Sequence, residues 1–358
     1  MAKKINIGVI FGGKSFEHEV SLVSARFIIK NLDKKKYKVT EIGITKDGYW
    51  ILNEPLKALT DGKIIEQGTR LMPESLIKQC DIFFPVFHGN YGEDGKIQGM
   101  LEMAGVPYVG ANVLASALGM DKVIQKNIFS ENKLPVVKFK TFFDHDWLKN
   151  KTKLIKEIEK DLTYPTFVKP ANAGSSVGIS KSHNRQELIS AINQAIKYDH
   201  KIIVEQGLKN IIEIEVGVIG NTDEIKISLP GQIISSNEFY DYDAKYVDGK
   251  SEMIIPAPLN KKTTTQIQTM AKAAYLALNI EGLARVDFFV EQKTNKIYLN
   301  EVNTMPGFTA ISMFPSLWKA SGLNHSQLLD YLINAAINRY QKNSQLSNNY
   351  QPKLAWFK

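Results

Sequence analysis

The sequence predicts an α/β fold that begins with a parallel sheet and continues into α+β units with antiparallel strands. Residues 1 to about 115 alternate short apolar runs with amphipathic helical segments, which is the pattern of a parallel sheet. Residues 166–180 indicate a strand, a small-residue loop and a second strand, and residues 282–307 indicate a tight hairpin. Because 358 residues are too many for one core, we expect three units, at 1–115, 116–208 and 209–358.

Composition is that of an ordinary soluble globular protein, with 44% hydrophobic and 23% charged residues. The net charge of +8 is spread over Lys-rich helices, and the basic residues form no aromatic-interleaved stripe of the kind that binds nucleic acid. The single cysteine, Cys80, excludes a disulfide framework and fits a reducing cytoplasm. No apolar window approaches the roughly 18 residues of a membrane span. We therefore expect a soluble cytoplasmic protein.

The first unit is expected to carry two ligand loops at one edge of its sheet. We predict strands and helices at residues 5–11, 18–32, 39–44, 81–87 and 96–104. Ligands of a parallel sheet bind at the carboxyl ends of its strands. The loops at 12–19 and 88–95 both fall there, and both combine glycines with ionisable side chains.

The first of these loops contains a misleading motif. Residues 8–15, GVIFGGKS, match the phosphate-loop pattern G-x-x-x-x-G-K-[ST]. Val9 to Phe11 belong to the predicted strand, however, so the exposed loop is too short to wrap a phosphate. Glu17 and Glu19 follow and would repel one. We reject a phosphate loop here.

The second unit contains a better candidate for phosphate contacts. A helix is predicted at 113–131, and a Lys-rich helix at 147–160. The following segment, TFVKPANAGSSVGIS, places Lys169 at a strand end before a loop of Gly, Ser and Ala whose backbone amides can approach an anion. Strand–loop–strand is the arrangement of a phosphate-covering flap. Gly174 to Gly178 also fit the nucleophile-elbow pattern G-x-S-x-G, but that motif needs an immediate helix, and none is expected before Arg185.

The third unit contains a candidate lid. Strands at 213–220 and 224–229 are followed by residues 237–250, which are dense in tyrosine and charge and lack periodicity. A loop of this length in a compact domain is typical of an active-site lid, placed here at 236–252. Helices are predicted at 263–278 and 326–340.

The hairpin predicts a metal site. A three-residue loop, Lys293 to Asn295 with left-handed Asn295, would make Gln292 face Lys296. Asp287 then lies opposite Glu301, and Arg285 opposite Asn303. Directly opposed carboxylates repel unless a cation lies between them. Two carboxylates and an amide oxygen are hard ligands that suit Mg²⁺.

Several long motifs together resemble the D-alanine–D-alanine ligases of the ATP-grasp superfamily. They are FGGKSFEHEVS, HGNYGEDGKIQGMLE, MDK, FVKPANAGSSVGIS, FYDYDAKY, RVDFF and NEVNTMPGFT, and they span nearly the whole chain. The resemblance implies an ATP-grasp fold with a Rossmann-like N-terminal domain. It also implies ATP-dependent ligation of two D-alanines through a D-alanyl phosphate, for peptidoglycan precursor synthesis, in a homodimer.

The resemblance also assigns residues to roles. Metal ligands for two Mg²⁺ or Mn²⁺ would be Asp287, Glu301 and Asn303. Substrate contacts would be His88 and Ser312, and catalytic groups Glu17, Ser175, Tyr246, Arg285 and the amide of Gly307. ATP contacts would be Lys122, Lys169, Ser176, Glu205, Gln206, Leu208, Glu213 and Lys245. Two departures from the family pattern affect the nucleotide contacts, namely Gln206 in place of a common Lys and the Ile211-Ile212 pair before Glu213.

Two other function classes stay open at this point. One is another ATP-grasp acid–amine ligase, either glutathione-synthetase-like or making D-alanyl-D-lactate. Tyr246 and the EHEVS loop favour the D-alanine dipeptide, since lactate-using relatives have a different lid or Phe at that place. The other class is a non-catalytic nucleotide-binding protein, which has no need of four retained hairpin residues. A nicotinamide dehydrogenase is disfavoured because no G-x-G-x-x-G follows the first strand.

Overall fold

A computed structural model describes residues 3–52, 69–71, 75, 77–174, 176–234 and 252–347. Within these residues the chain forms three sheets flanked by helices. Ser175, Lys245 and Tyr246 lie outside the described residues, as do the predicted lid except for its last residue and the end of the tail. No helix in the described ranges is long and apolar enough to cross a membrane.

The N-terminal sheet has a parallel centre and an antiparallel edge. Its order is β4-β3-β2-β1-β5, for strands β1 (Ile5–Gly12), β2 (Tyr37–Ile44), β3 (Trp50–Leu52), β4 (Thr69–Leu71) and β5 (Ile82–Val86). β1 pairs in parallel with β2 and β5, as predicted. β3 and β4 add antiparallel pairs that the prediction of a parallel sheet missed. Strands of three residues are too short to show periodicity.

Helices α1 (His18–Asn31) and α2 (Lys96–Met103) follow the two predicted ligand loops. Val9 to Phe11 lie within β1, which confirms the reason for rejecting a phosphate loop. Glu17 is the N-cap residue of α1, so it lies at the carboxyl end of β1.

The single helix predicted at 113–131 is wrong. Two helices are present, α3 (Val113–Met120) and α4 (Lys122–Glu131), and the chain breaks at Asp121. The backbone of Asp121 is extended, and its carboxylate accepts hydrogen bonds from the amides of Val123 and Ile124. Asp121 is therefore the N-cap of α4, and a capping carboxylate stabilises a new helix start.

The central unit is a four-stranded antiparallel sheet of order β6-β9-β7-β8. Its strands are β6 (Phe139–Phe143), β7 (Thr166–Pro170), β8 (Ser180–Ser182) and β9 (Lys201–Gln206). Helices α5 (Asp144–Asp161) and α6 (Arg185–Ala195) pack on it through residues such as Trp147 and Ile192. The strand–loop–strand prediction is confirmed, and the first helix after the flap begins at Arg185.

The third unit is an antiparallel sheet of order β13-β12-β10-β14-β15, with β11 paired to β10. Its strands are β10 (Ile211–Asn221), β11 (Glu224–Ile227), β12 (Gly231–Ile234), β13 (Glu252–Ile254), β14 (Gly282–Glu291) and β15 (Ile297–Asn303). Its helices are α7 (Lys261–Ala277), α8 (Met313–Ala320) and α9 (His325–Ser344). The sequence did not predict α8, whose Pro315 lies in the first turn, where proline is tolerated.

The hairpin β14–β15 has the predicted pairing at the site residues, but its register near the turn differs from the prediction. Near the turn the register is one residue off, because the Glu291 amide donates to the Lys296 carbonyl at 2.9 Å instead of Gln292 facing Lys296. A β-bulge then shifts the register, so that Asp287 does lie opposite Glu301 and Arg285 opposite Asn303. Asn295 is left-handed, as expected, with φ of 56°.

Helices α8 and α9 complete the core of the N-terminal sheet. Phe314, Trp318 and Leu332 pack in one buried cluster with Ile7 and Leu22. On α9 the buried guanidinium of Arg339 donates to the backbone carbonyls of Tyr108 and Gly110. The first and third units are therefore joined by apolar packing and hydrogen bonds, while the proposed unit boundaries stay a prediction.

Candidate active site

Loops that follow strands of the N-terminal sheet and residues of the other two sheets line one cavity of about 450 Å³. That volume lies in the range of small-molecule sites, which run from about 300 to 1,000 Å³. Every site residue that the sequence predicted and the structure describes lines it: Glu17, His88, Lys122, Lys169, Ser176, Glu205, Gln206, Leu208, Glu213, Arg285, Asp287, Glu301, Asn303, Gly307 and Ser312. Polar groups that lie far apart in the chain thus converge on one space.

Each carboxylate of the hairpin pair has a basic partner. Arg285 Nε and Nη2 donate to the two oxygens of Asp287 at 2.8 and 2.7 Å, and Arg285 also lies 3.1 Å from Glu215. Glu301 lies 3.8 Å from the Lys122 ammonium. The Asn303 side-chain oxygen accepts from the Met305 amide at 2.9 Å. These contacts hold two carboxylates and one amide oxygen at the cavity wall.

These oxygens fit a hard divalent cation. Carboxylates and amide carbonyls are the donors that Mg²⁺ takes in proteins, and it keeps remaining positions for water and phosphate. Across the described part of the chain, no three His, Cys, Asp or Glu side chains gather as a metal site. The predicted ligand set therefore depends on the amide of Asn303 and on ligands from a bound substrate.

Lys122 links the start of α4 to the flap. Its ammonium donates to the Ala173 carbonyl at 2.7 Å, and its amide donates to the Ala171 carbonyl at 3.0 Å. The Asp121 cap turns the chain so that Lys122 faces the cavity. A cation at this position lies beside both the flap and Glu301.

Lys169 belongs to a buried charge cluster with Glu205 and Lys126. The two oxygens of Glu205 lie 2.7 Å from the Lys169 ammonium and 2.9 Å from that of Lys126. Burial alone would raise the pKa of Glu205, but the two ammonium groups outweigh it and lower the pKa to about 2. The Glu205 carboxylate is thus ionised and already engaged within the protein.

The N-terminal loops bring Glu17, His88 and Glu93 to the cavity. His88 is buried, its Nε2 lies 3.0 Å from the Ser24 hydroxyl, and its Nδ1 lies 3.3 Å from the Met305 carbonyl. Because a carbonyl can only accept, Nδ1 carries the proton. Burial lowers the pKa of His88, so the ring is neutral at pH 7.

Glu93 accepts a hydrogen bond from the Gly89 amide at 2.9 Å. Loss of solvent and the nearby Glu17 carboxylate raise the pKa of Glu93 to about 8. A protonated carboxyl beside an ionisable one is a common device of active sites.

The segment after β15 ends at the N-terminus of α8. Ser312 is the N-cap residue of α8, and its hydroxyl accepts from the Thr309 amide at 2.9 Å. A Cβ on Gly307 would lie 2.9 Å from that hydroxyl, so a larger residue there would displace the Ser312 side chain. Helix N-termini favour anions, which makes this end of the cavity suitable for a carboxylate.

Part of the cavity lining is apolar. Phe167, Ile179, Ile212 and Phe288 line it together with Gln206, Leu208 and Glu213. An apolar slot with a few polar groups at its rim suits a planar base.

The sequence did not point to Glu93, Lys126 or Glu215 as site residues. Glu93 lies inside a glycine-rich loop that was singled out. Glu215 alternates with Glu213 on an otherwise apolar buried strand, which is a readable signal. Lys126 lies one helical turn after Lys122, a spacing that places both on one face of a helix.

Two models of D-alanine–D-alanine ligase domains match the chain. The model described as "D-ala D-ala ligase N-terminus" matches residues 6–111, and the one described as "D-ala D-ala ligase C-terminus" matches residues 128–334.

Similar sequences include the D-alanine–D-alanine ligase of Natranaerobius thermophilus, 47% identical over 97% of this chain and 99% of that protein. Another is that of Caldicellulosiruptor bescii, 46% identical over 96% of this chain and 99% of the relative.

Two solved structures are similar in fold. The VanG D-Ala:D-Ser ligase of Enterococcus faecalis has a TM-score of 0.80 at 36% identity and covers 93% of this chain and 100% of its own. The D-alanine–D-alanine ligase of Coxiella burnetii has a TM-score of 0.82 at 34% identity, and the match covers 96% of this chain and 97% of that chain.

Proposed function

The chain belongs to the D-alanine–D-alanine ligase family, with its ATP-grasp fold, and we propose that it joins two D-alanines to D-alanyl-D-alanine. The reaction consumes ATP, releases ADP and phosphate, and supplies a peptidoglycan precursor. The observation that carries the proposal is the single cavity in which Glu17, Lys122, Arg285 and Ser312 meet from different units.

In the first step, the γ-phosphoryl group of ATP moves to the carboxylate of one D-alanine and gives an acyl phosphate. Lys122, Lys169 and Ser176, with Lys245 from the lid, contact the phosphates. Asp287, Glu301 and Asn303 would hold two Mg²⁺ or Mn²⁺ ions, which supply positive charge to the phosphate oxygens. Glu17 and His88 flank the first D-alanine.

In the second step, the amine of another D-alanine attacks the acyl carbon, and phosphate leaves. Arg285 and the Gly307 amide donate to the oxyanion that develops, where fixed donors are most effective. Ser312, at the N-terminus of α8, binds the carboxylate of the second D-alanine. The family resemblance assigns Ser175, Tyr246 and Glu17 to a hydrogen-bonded triad that would orient the amine and close the lid against water.

The nucleotide base occupies the apolar part of the cavity. Gln206, the last residue of β9, and Leu208 lie beside it, and Glu213 contacts the ribose. Glu205 acts here through its ion pairs, since both of its oxygens are engaged by lysines. We further propose a cytoplasmic homodimer, which light scattering after size-exclusion chromatography tests.

The decisive experiment is phosphate release from ATP and Mg²⁺, with products identified by mass. The amino-acid mixtures are D-alanine, L-alanine, D-alanine with D-lactate, and D-alanine with D-serine. Release with D-alanine alone, giving the dipeptide, is the expected result. The D-serine mixture is included because one similar structure is a D-Ala:D-Ser ligase. Release that requires D-lactate or D-serine would keep the reaction class but overturn the second substrate, and no release would overturn the proposal.

A further inference from the structure

The pairing of Asp287 with Glu301 depends on the bulge in β15. On the turn side of the bulge Phe288 pairs with Leu299, and on the site side Asp287 pairs with Glu301, so Asn300 is the extra residue. Continuing the register of the turn would place Asp287 opposite Asn300. Because neighbouring side chains of a strand point to opposite faces, Glu301 would then leave the face of Asp287.

A bulge in this place needs external support. β15 is at the edge of its sheet, and a bulge leaves one residue out of the ladder. Backbone groups that face away from β14 must find other partners when they are buried. The Pro135 carbonyl accepts from the Leu299 amide at 2.8 Å, and helix α4 provides the partners for Asn300 and Val302.

The Gln125 side chain bonds the edge strand as a neighbouring strand would. Its Oε1 accepts from the Val302 amide at 2.8 Å, and its Nε2 donates to the Val302 carbonyl at 3.1 Å and also to the Gly119 carbonyl. Gln125 is buried, so these bonds form away from solvent. They hold the residue directly after Glu301.

The Lys126 side chain holds the bulge itself. Its ammonium donates to the carbonyl of Asn300 at 3.1 Å and lies 2.9 Å from Glu205. One turn earlier on α4, Lys122 faces Glu301 at 3.8 Å. Residues 122, 125 and 126 thus lie on one face of α4, and this face contacts residues 300–302 of β15.

We propose that Gln125 and Lys126 are positioning residues, which fix the bulge in β15 and thereby keep Glu301 and Asn303 on the face of Asp287. The inference rests on the proposed function, because it concerns the metal ligands of that reaction. Lys126 also connects the hairpin to Glu205, so the nucleotide end and the metal end of the cavity share one buried cation.

The test uses Gln125→Met and Lys126→Met, which remove the polar contacts and keep an unbranched side chain. Hydrogen exchange of the Val302 amide reports on the bulge. Electron paramagnetic resonance of free Mn²⁺ reports on binding of Mn²⁺ to the enzyme–ADP complex. Neither readout needs D-alanine or turnover. Lys149→Met and Asn127→Ala, at exposed positions of α5 and α4, are the matched controls.

We expect Gln125→Met to accelerate Val302 exchange about tenfold, as the loss of a buried hydrogen bond implies. Both variants should weaken Mn²⁺ binding about 10- to 100-fold, the usual effect of removing a group that orients a metal ligand. The controls should match the wild type in both measurements.

Unchanged Mn²⁺ affinity in folded variants would overturn the proposal, whether or not Val302 exchange changes. If Gln125→Met does not fold, Gln125→Glu keeps the acceptor for the Val302 amide and replaces the donor by a carboxyl oxygen that faces the Val302 carbonyl, and the same criterion applies to it. Failure of the proposed function is separate, since it would appear as wild-type enzyme that binds Mn²⁺ but releases no phosphate with D-alanine.

Discussion

Arg285 and Asp287 form a two-point ion pair within one strand, with both carboxylate oxygens accepting from the guanidinium. Lys122 makes a single, longer ionic contact with Glu301, at 3.8 Å. On sequence grounds, the opposed carboxylates Asp287 and Glu301 predict a cation between them. Arg285 and Lys122 already lessen the repulsion between these carboxylates. The evidence for a metal is therefore the set of oxygen donors that line the cavity, together with the family resemblance.

Asp287→Asn is expected to reduce ligase turnover about 100-fold or more, because it weakens a metal ligand while leaving the side chain's volume unchanged. It also leaves Arg285 with Glu215 as its ionic partner. Steady-state rates across a Mg²⁺ titration measure the effect, and circular dichroism confirms the fold. A folded variant with near-wild-type turnover at low Mg²⁺ would remove Asp287 from the metal site.

Glu93→Gln is expected to change how stability depends on pH. The folded-state pKa of Glu93 is raised from 4.5 to about 8, so the folded protein keeps a proton that the unfolded chain loses. The contribution of Glu93 to the free energy of unfolding therefore falls as pH rises from about 4.5 to 8. Glu17, Lys122 and Glu301 surround this carboxyl and are unchanged in the variant.

Urea unfolding without nucleotide, at pH 5 and pH 8, measures this difference. The advantage of Glu93→Gln over the wild type should be larger at pH 8. Parallel pH profiles for the two proteins would show that Glu93 titrates normally.

Glu205→Gln is expected to lower the free energy of unfolding by about 3–5 kcal/mol at pH 7, because Lys126 and Lys169 lose the carboxylate that both contact directly. The folded-state pKa of Glu205 is depressed to about 2, so its contribution is present above 4.5 and is lost as pH falls toward 2. The variant should therefore lose less stability than the wild type over that range.

Chemical denaturation at pH 7 and in the acid range tests the role of Glu205. Glu131→Gln, at an exposed position, is the matched control and should behave as the wild type. A Glu205 variant as stable as that control would show that the cluster contributes nothing net.

Tyr246→Phe is expected to loosen the preference for D-alanine over D-lactate at neutral pH. The reason is the family pattern in the lid, where the phenol accompanies dipeptide formation. Competition between the two acceptors, with products quantified by mass, measures the ratio. An unchanged ratio would remove Tyr246 from the specificity argument.

Much of the site could be predicted because the informative residues lie close together in the sequence. The facing pairs of the hairpin were predicted from alternation and a three-residue loop, but the register at the turn is one residue off and the bulge restores the pairing. The bulge could not be predicted, because it depends on Gln125 and Lys126, which lie about 175 residues away and contact backbone groups. Asp121 is a typical N-cap residue, but the helical pattern of apolar residues continues past it, so the sequence predicts one helix instead of two. The charge state of Glu93 depends on burial, which the sequence does not encode locally.

The core shared by the N-terminal sheet with α8 and α9 has a consequence for building chimeras between ligases. Residues 1–115 look like a domain that could be exchanged alone. Their core, however, also contains Phe314, Trp318 and Leu332, and Arg339 donates hydrogen bonds to the carbonyls of Tyr108 and Gly110. A chimera joined only near residue 115 would pack the N-terminal sheet of one ligase against α8 and α9 of another. An exchange that carries α8 and α9 along keeps the two halves of that interior from one parent.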